Sequence, residues 1–278
     1  MVIKSYSKIN LSLKVNYKSK NGLHDIQSIY CLINLFDRIK INKIKRRKDE
    51  IVFKGPFAKF IQNKNNSVLI LLTILRKLNL ISDYYSIIIT KNIPVFSGLG
   101  GGTSNAAFIL KYLLKNKVNN NLLNNLEGKI GTDLKLFFKK QGFLKNLNTI
   151  IDLSKKQNFH FALIQPKVRC STKEIYSRVK TFSKKEEFNN SSTRSTNKFL
   201  DYLARNRNDL QFIVEKKYPI IKKILADISK ERGCRFSRMS GSGSVCYGLF
   251  NDQIFAKKAL NKLKKKYPNF WFSIAKTV

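Results

Sequence analysis

Residues that bind soft metals or form disulfides are scarce in this sequence. Its 278 residues contain only two histidines and four cysteines. The cysteines lie far apart without a CxxC pair, which argues against a structural zinc site and against a disulfide scaffold. Two histidines are too few for a histidine-rich metal centre. We therefore expect reduced, mostly buried thiols, and the metal ligands stay unknown.

Long apolar runs are also missing. The longest, "VLILLTIL" from Val68 to Leu75, is far too short to span a bilayer. The first fifteen residues, "MVIKSYSKINLSLKV", alternate in polarity and lack the apolar centre of a signal peptide. We expect a soluble, cytoplasmic protein without a membrane partner.

Negative charge is in short supply. Lys and Arg number 54 and Asp and Glu 17, which gives a net charge of +37 and a pI near 10.2. Such a charge suits a nucleic-acid-binding protein. However, the lysines are spread from "KIKRRK" at 43–48 to "LKKKY" at 263–267, with abundant Asn and Ile and little Ala, a bias typical of AT-rich coding sequences. We predict no specific nucleic-acid partner, only salt-sensitive attraction to polyanions.

Hydrophobic residues make up 43% and aromatics 12%, which indicates a globular protein. Alternating or β-branched runs predict strands, and 3.6-residue periodicity predicts helices. The pattern up to residue 155 predicts strands at 9–17, 39–45 and 85–91 and helices at 66–79 and 104–116. Their intermixing indicates an α/β or α+β domain.

A second block of elements begins near residue 156, so we predict domains at 1–155 and 156–278. "STKEIY" contains a capping box, with Ser171 as the cap and Glu174 three residues later. The polar segment 183–197 lacks periodicity and is predicted to be a surface loop. Further predictions in this block are strands at 159–166, 245–250 and 269–276 and helices at 218–230 and 253–267.

Four glycines lie within "NIPVFSGLGGGTSNAAFIL", residues 92–110, directly before a helical pattern. Thr103 or Ser104 suits the helix N-cap. Glycines without side chains, followed by the free amides of a helix N-terminus, can surround an anion, so the loop is predicted to bind phosphate. No lysine follows as in GxxxxGK[ST], and Thr103 stands where GxGxxG/A needs a small residue. A simple turn before an ordinary helix is the alternative.

Three other stretches are weak when taken singly: "YSKINLSL" (6–13), "NGLHDIQSIY" (21–30) and "GTDLKLFF" (131–138). Lys8 alone is most often a solvated charge. Asp133 alone is as readily a turn or capping residue as a base, and His24 alone is a loop residue.

Taken in order, these stretches resemble the GHMP kinases. The glycine segment from Pro94 to Ala107 is similar to that family's P-x-x-x-G-L-G-G-G-S-S-x-A-A loop. The sequence also has counterparts of the family's Lys-x-Asn, Gly-x-His and G-A-D-V-P-F-F patterns. Further counterparts follow in "CSTKEIY" (170–176), "NDL" (208–210) and "MSGSGS" (239–244). The resemblance covers nearly the full length, and its details are most similar to the branch that phosphorylates a cytidyl diphosphate sugar alcohol in the non-mevalonate isoprenoid pathway.

The resemblance implies the fold and the ligands. The implied class is α/β (α+β), with an S5-like amino domain and a ferredoxin-like carboxyl domain that completes the substrate cleft. The implied co-substrate is ATP with Mg²⁺. The residues implied to bind ATP are Pro94, Val95, Phe96, Ser97, Gly98, Leu99, Gly100, Gly101, Gly102, Thr103 and Ser104.

The resemblance also implies roles in catalysis and substrate binding. Asp133 is the base that receives the proton of the substrate hydroxyl, and Lys8 stabilises charge beside it. His24 hydrogen-bonds the cytosine and Tyr176 stacks on it. Asn10 places the sugar alcohol, and Thr172 contacts the substrate phosphates.

The chain departs from the family pattern at several positions. Thr103 replaces a serine but keeps the hydroxyl. Leu23 stands where an aromatic residue often precedes the histidine, which removes one stacking surface for the cytosine. Thr132, Leu134 and Lys135 alter the surroundings of Asp133. The alternatives are another GHMP kinase, of the homoserine or mevalonate type, and a basic RNA-binding protein on an S5-like fold.

Overall fold

A computed structural model describes residues 2–19, 22–62 and 66–278. The chain divides into two compact units that alternate along the sequence. The first unit consists of residues 1–8, 35–95 and 100–139, and the second of residues 9–34, 96–99 and 140–278. The predicted division near residue 155 stays a prediction.

The strands in chain order are β1 (Val2–Asn10), β2 (Lys14–Lys18), β3 (His24–Ile44), β4 (Glu50–Lys54), β5 (Tyr84–Thr90), β6 (Gln141–Asn146), β7 (Thr149–Ile151), β8 (His160–Gln165), β9 (Cys234–Met239), β10 (Cys246–Phe250) and β11 (Trp271–Lys276). The α-helices are α1 (Ser67–Lys77), α2 (Gly101–Leu113), α3 (Asn120–Ile130), α4 (Thr172–Ser177), α5 (Thr196–Arg205), α6 (Asp209–Lys217), α7 (Pro219–Ser229) and α8 (Gln253–Lys266). Short 3-10 helices lie at Ala58–Phe60, Leu134–Phe138 and Asn190–Arg194.

In the first unit, the second half of β3 pairs antiparallel with β5, and β4 runs parallel to β5. Ile39 and Ile41 of β3 face the core opposite Ile89 and Ile87 of β5, as the alternation of a half-buried strand requires. Helix α1 begins where the side chain of Asn66 accepts hydrogen bonds from two backbone amides. It packs against α2, the helix that follows the glycine segment.

In the second unit, the first half of β3 pairs with β2 and β6, and β6 pairs with β7. The other sheet has the strand order β11-β8-β10-β9, and its neighbours are antiparallel. Helix α7 packs on β9 and β10, and α8 packs on β8 and β11. The apolar face of α8 packs with strand residues of this sheet in a buried cluster of Ala162, Phe250, Ala256, Ala259 and Leu260. Burial of this apolar surface is the main favourable term in its folding.

The mixed α/β class is confirmed, and most predicted elements are present. The helices predicted at 66–79, 218–230 and 253–267 correspond to α1, α7 and α8. The capping role of Ser171 is confirmed, because its hydroxyl accepts from the Glu174 amide at 3.4 Å. In the described ranges, no helix has the length and apolar character needed to cross a membrane.

Two local predictions are wrong, and a third is confirmed but incomplete. The strand predicted at 9–17 is interrupted, because β1 ends at Asn10 and β2 begins at Lys14. The strand predicted at 39–45 is confirmed, but it is only the end of a much longer strand, β3. Its first half is buried almost continuously, so polarity does not alternate there and gives no periodic signal. The segment 183–197 contains the Asn190–Arg194 3-10 helix and the start of α5.

Candidate active site

The glycine segment turns into helix α2 earlier than predicted. Gly100 is the N-cap residue, with φ 71° and ψ 23°, and no side chain caps the helix. The predicted cap at Thr103 or Ser104 is therefore wrong. Glycine adopts this left-handed conformation without a Cβ penalty, which allows the helix to begin at Gly101. The amides of residues 101–103 then precede the first intrahelical hydrogen bond, from the Ser104 amide to the Gly100 carbonyl.

Lys8 and Asp133 form an ion pair beside this turn. Lys8 is the last residue of β1 that belongs to the first unit, and its side chain is almost fully buried. Asp133 immediately precedes the Leu134–Phe138 3-10 helix, and its side chain is 29% exposed. The Lys8 Nζ and Asp133 Oδ2 atoms are 3.2 Å apart. The pair thus has a buried cation and a carboxylate that solvent or a substrate can reach.

Gly100 lies directly against this pair. A Cβ placed on Gly100 would be 3.4 Å from Lys8 Cε, 3.5 Å from Asp133 Oδ2 and 2.9 Å from Phe137 Cζ. The last distance is too short for a real contact, and the positive φ adds strain to any larger residue. The structure therefore brings the glycine turn, the lysine and the aspartate together, while their roles in catalysis stay predictions.

Lys111 of α2 supports the 3-10 helix that follows Asp133. Its Nζ donates a 2.5 Å hydrogen bond to the Phe137 carbonyl and lies 4.8 Å from the ring centroids of Phe108 and Phe138. Burial lowers the pKa of Lys111 to about 8, which reflects the cost of holding a charge among apolar groups. Lys111 is a residue that the motifs did not indicate.

Lys135, one of the departures from the family pattern, has a structural partner. Its Nζ lies 2.8 Å from Glu127 Oε2 of α3, and both side chains are largely buried. Burial raises the pKa of Glu127, against the opposing effect of Lys135. The altered sequence after Asp133 is thus accommodated by an ion pair to the neighbouring helix.

A buried carboxylate anchors the beginning of the glycine segment. Asp37 of β3 accepts hydrogen bonds from the backbone amides of Asn92 and Ile93 at 2.7 and 2.8 Å. It also accepts from the Asn105 side-chain amide at 3.0 Å and pairs with Lys91. Asp37 and Lys91 are 0% and 2% exposed, and burial lowers the pKa of Lys91 although Asp37 opposes this. One side chain therefore links β3, the start of the segment and the first turn of α2.

Ser104 is tied into the same interior. Its hydroxyl donates to the Tyr6 carbonyl at 2.6 Å and lies 2.7 Å from the Ser5 hydroxyl. Ser104 is fully buried. The structure therefore gives the Ser104 hydroxyl partners within the protein, and its predicted contact with ATP stays a prediction.

In the second unit, residues 96–99 contact the other glycine-rich segment, 240–244. The Ser244 amide donates to the Phe96 carbonyl at 2.8 Å, and the Ser240 hydroxyl donates to the Gly98 carbonyl at 3.0 Å. A Cβ on Gly98 would overlap the carbonyl oxygen of Ser240. Gly98 is thus required by close backbone approach. Sequence motifs identified both segments but not this contact.

The residues predicted to bind the cytosine are neighbours. His24 begins β3, and its ring centroid is 5.1 Å from that of Tyr176 in α4. Burial and, to a smaller extent, the charge of Lys18 lower the pKa of His24. The imidazole is therefore neutral near pH 7, and a neutral imidazole has one donor and one acceptor nitrogen.

Asn10 and Thr172 both contact the segment 240–244. The Thr172 hydroxyl lies 2.9 Å from the Ser242 hydroxyl. The Asn10 backbone amide donates to the Ser240 hydroxyl at 3.3 Å, and its side-chain amide donates to the Ser28 hydroxyl at 2.8 Å. Asn10 is only 2% exposed. The structure thus fixes the backbone and the side chain of Asn10 within the second unit.

Phe182 is an aromatic residue near this group that no motif identified. Its ring centroid is 6.3 Å from that of His24, and the residue is 46% exposed. It lies within the polar stretch "RVKTFSKKEE". Its isolation as an aromatic residue among polar ones is the only feature of the sequence that could have indicated it. In the described part of the chain, no cluster of three or more His, Cys, Asp or Glu side chains could hold a metal ion.

Comparison with known proteins identifies the family of this chain. The family pattern "GHMP kinases N terminal domain" matches residues 66–133, and "GHMP kinases C terminal" matches residues 185–269. A Pelagibacter ubique protein named 4-diphosphocytidyl-2-C-methyl-D-erythritol kinase is 36% identical over 99% of this chain and 98% of its own length. A Wolbachia pipientis protein of the same name is 30% identical over 97% and 96%.

Solved structures share the fold. The crystal structure of a 4-(cytidine 5'-diphospho)-2C-methyl-D-erythritol kinase superposes with a TM-score of 0.74 at 22% identity, covering 99% of both chains. Homoserine kinase from Cytophaga hutchinsonii gives a TM-score of 0.65 at 17% identity, covering 100% of this chain and 94% of its own.

The chain belongs to the GHMP kinases. The resemblance deduced from the ordered motifs is therefore confirmed, together with the two-domain GHMP architecture and the class of the enzyme, a phosphotransferase that uses ATP.

The Asp37 network leads to a prediction about stability. Asp37→Asn keeps the size of the side chain but leaves the buried Lys91 without a counter-ion, so the free energy of unfolding should fall by about 3–5 kcal/mol. Urea denaturation followed by circular dichroism measures this change. Adding Lys91→Met to Asp37→Asn should recover part of the loss, because it removes the uncompensated charge.

Asp83→Asn serves as the control for this experiment. Asp83 pairs with Lys43 at 2.6 Å, but both side chains are exposed, and exposed ion pairs contribute little. This variant should unfold like the wild type. An Asp37→Asn protein as stable as Asp83→Asn would mean that the network does not anchor the segment.

Proposed function

We propose that this chain transfers the γ-phosphoryl group of ATP to the 2-hydroxyl of 4-diphosphocytidyl-2-C-methyl-D-erythritol, in the non-mevalonate pathway to isoprenoid precursors. The observation that carries the proposal is the 3.2 Å Lys8–Asp133 pair beside the left-handed Gly100. A base and a cation there adjoin the free amides of a helix N-terminus. Relatives that match nearly the whole chain and have the same name supply the choice of substrate.

The glycine segment is proposed to hold the ATP phosphates. The helix N-terminus carries partial positive charge, and the amides of residues 101–103 are directed toward its open end. Gly102 leaves the surface bare, because among the described residues outside its own helix backbone only Ser67 Oγ, at 3.6 Å, lies within 4 Å of its Cβ position. Pro94 to Leu99 and the Thr103 hydroxyl complete the proposed ATP-binding segment.

Asp133 is proposed to act as the general base. It accepts the proton of the 2-hydroxyl while that oxygen forms a bond to the γ-phosphorus and the bond from phosphorus to the β,γ-bridging oxygen breaks, releasing ADP. Lys8 stabilises the negative charge that develops on the attacking oxygen. The partial exposure of Asp133 and the burial of Lys8 suit this division, because the base must reach a substrate and the lysine only the base and the oxygen.

His24, Tyr176, Thr172 and Asn10 are proposed to hold the rest of the substrate. A neutral His24 can donate to and accept from the edge of a cytosine, which presents both an amino donor and ring acceptors. Tyr176 offers a ring for stacking. Thr172 is proposed to contact the diphosphate, and Asn10 to place the erythritol portion.

Mg²⁺ is proposed to arrive with ATP and to neutralise the phosphate charge during transfer. The described residues include no cluster of acidic, histidine or cysteine side chains that fits an ion. No protein ligand of the ion is therefore assigned. Domains at 1–155 and 156–278 and a cytoplasmic location complete the proposal.

The base assignment predicts a specific kinetic defect. Asp133→Asn keeps shape but cannot accept the proton, so kcat should fall at least about 10²-fold. The KM values for ATP and for the cytidyl substrate should stay near those of the wild type, because their phosphates and base are held elsewhere. Steady-state kinetics with purified protein tests this, and a thermal melt must show that the variant is folded.

Lys8→Met should also reduce kcat. The double variant should lose less than the product of the two single losses, because the two residues act as a unit. An Asp133→Asn enzyme that keeps near-normal kcat would exclude Asp133 as the base. Parallel assays with homoserine and mevalonate identify the family branch, and activity on either in place of the cytidyl substrate would contradict the proposed substrate.

Gly102 gives a clean test of phosphate binding. Gly102→Ala should raise the KM for ATP, because a methyl group would stand on the surface that the phosphates approach. Gly101→Val is a poorer test, since its Cβ would lie 2.9 Å from Ile93 Cγ2 in the interior. Gly128→Ala in α3 is the matched control, because no atom of the described residues outside its own helix backbone lies within 4 Å of its Cβ position. Both substitutions replace a helical glycine with alanine, which favours a helix by up to about 1 kcal/mol. Unchanged ATP kinetics in a folded Gly102→Ala protein would mean that the glycine segment is only a turn and does not bind phosphate.

The absence of a specific nucleic-acid partner is also testable. With a net charge of +37, the protein should bind a generic oligonucleotide weakly, without sequence preference, and with an affinity that falls steeply as salt increases. Fluorescence anisotropy at several salt concentrations measures this. Tight, sequence-selective binding at about 150 mM salt would instead support the RNA-binding alternative.

A further inference from the structure

The cytosine pocket implied by the family pattern lacks an aromatic residue in this chain. Leu23 precedes His24 where the family often has an aromatic ring. Leu23 is 40% exposed, and its side chain has no π-face for a base. Stacking on aromatic rings is a major source of affinity for pyrimidines. A second aromatic surface for the base in this chain would have to come from another position.

Phe182 is in a position to supply this surface. His24 has two aromatic neighbours, Tyr176 at 5.1 Å and Phe182 at 6.3 Å between ring centroids. Both rings are tilted relative to the imidazole, by 38° and 35° respectively. Phe182 is 46% exposed, so much of its ring is free to contact a ligand. When a base covers an exposed phenylalanine ring, apolar surface is removed from water and a stacking contact is formed.

The backbone next to Phe182 is held in place. The Ser183 amide donates to the Val15 carbonyl at 2.8 Å, and the Ser183 carbonyl accepts from the Asn16 side chain at 3.1 Å. The Ser183 hydroxyl donates to Asp209 Oδ2 at 2.8 Å, and the same oxygen accepts from the Val15 amide. Ser183 is thus tied to β2 and to the first residue of α6. Such anchoring reduces the entropy lost when the neighbouring ring binds a ligand.

We propose that Phe182 is the second base-stacking residue of this enzyme and takes over the role that an aromatic residue at position 23 has elsewhere in the family. The ligand is the pyrimidine base of the cytidyl substrate, which Phe182 and Tyr176 contact through their rings while His24 reads its edge. This inference rests on the proposed function. It assigns part of the affinity for the base to the segment between α4 and the Asn190–Arg194 3-10 helix, while His24 supplies the selectivity for cytosine.

Kinetics of Phe182 variants test the proposal. Phe182→Ala should raise the KM for the cytidyl substrate about 5- to 100-fold, the range expected from loss of one base–aromatic stack. The KM for ATP should not change. Phe182→Tyr keeps a ring and should retain a KM near that of the wild type. Phe60→Ala is the control, because Phe60 is also a partly exposed phenylalanine, at 38%, but belongs to the first unit, whereas His24 and Phe182 belong to the second.

A rescue experiment separates stacking from a general structural effect. Leu23→Tyr, introduced into Phe182→Ala, restores an aromatic surface beside His24 and should lower the KM for the cytidyl substrate again. A purely structural loss at position 182 would not respond to this change. Phe182→Trp adds a reporter to the single native tryptophan, Trp271, and the added fluorescence should be quenched by CDP.

The outcomes distinguish this inference from the proposed function. If the wild type does not phosphorylate the cytidyl substrate, the proposed function fails. If the wild type does so and Phe182→Ala keeps a KM within about twofold of the wild-type value, a change smaller than the loss of one stack would cause, only the role of Phe182 is overturned. A raised KM that Leu23→Tyr fails to restore, together with unchanged fluorescence of the Phe182→Trp variant on addition of CDP, would also overturn it.

Discussion

The bare backbone at Gly100 is the constraint on which the catalytic arrangement depends. Any side chain there would meet the Phe137 ring and approach both Lys8 and Asp133. The same residue ends the glycine segment in a left-handed conformation and so fixes where α2 begins. The position of the helix N-terminus and its distance from the ion pair are therefore set by one residue. The proposed phosphate-binding surface and the proposed base can be neighbours because residue 100 has no side chain to lie between them.

Buried charges hold the surroundings of this turn, and they do so at a cost. Lys91 and Lys111 are both buried enough to have lowered pKa values. Lys91 is offset by Asp37, whereas Lys111 is satisfied by the Phe137 carbonyl and two aromatic rings. Buried ion pairs often contribute less stability than apolar packing would. Their geometry is nevertheless directional, and here it fixes both ends of the glycine segment and the helix that follows Asp133.

Sequence motifs identified the family better than they predicted the local fold. The ordered glycine, Lys-x-Asn and Asp133 patterns led to the family, because each reflects a chemical requirement that tolerates few residue types. The first half of β3 gave no signal, since burial on both faces removes alternation. The start of α2 was predicted too late in the chain, because the hydroxyls of Thr103 and Ser104 suggested an N-cap. The N-cap residue is instead Gly100, in a left-handed conformation. Phe182, Lys111 and Asp37 act through contacts distant in sequence, which no local pattern contains.

The charge imbalance is informative about which carboxylates the structure needs. Most of the 17 acidic residues lie in ion pairs, including buried or partly buried ones such as Asp37, Asp133 and Glu127. The buried acids meet a structural requirement, because a buried cation without its counter-ion is strongly destabilising. Exposed pairs, such as that of Asp83 with Lys43, contribute little. The remaining positive potential is expected to attract anionic ligands such as ATP and the proposed cytidyl substrate, and to raise their association rates in a salt-dependent way.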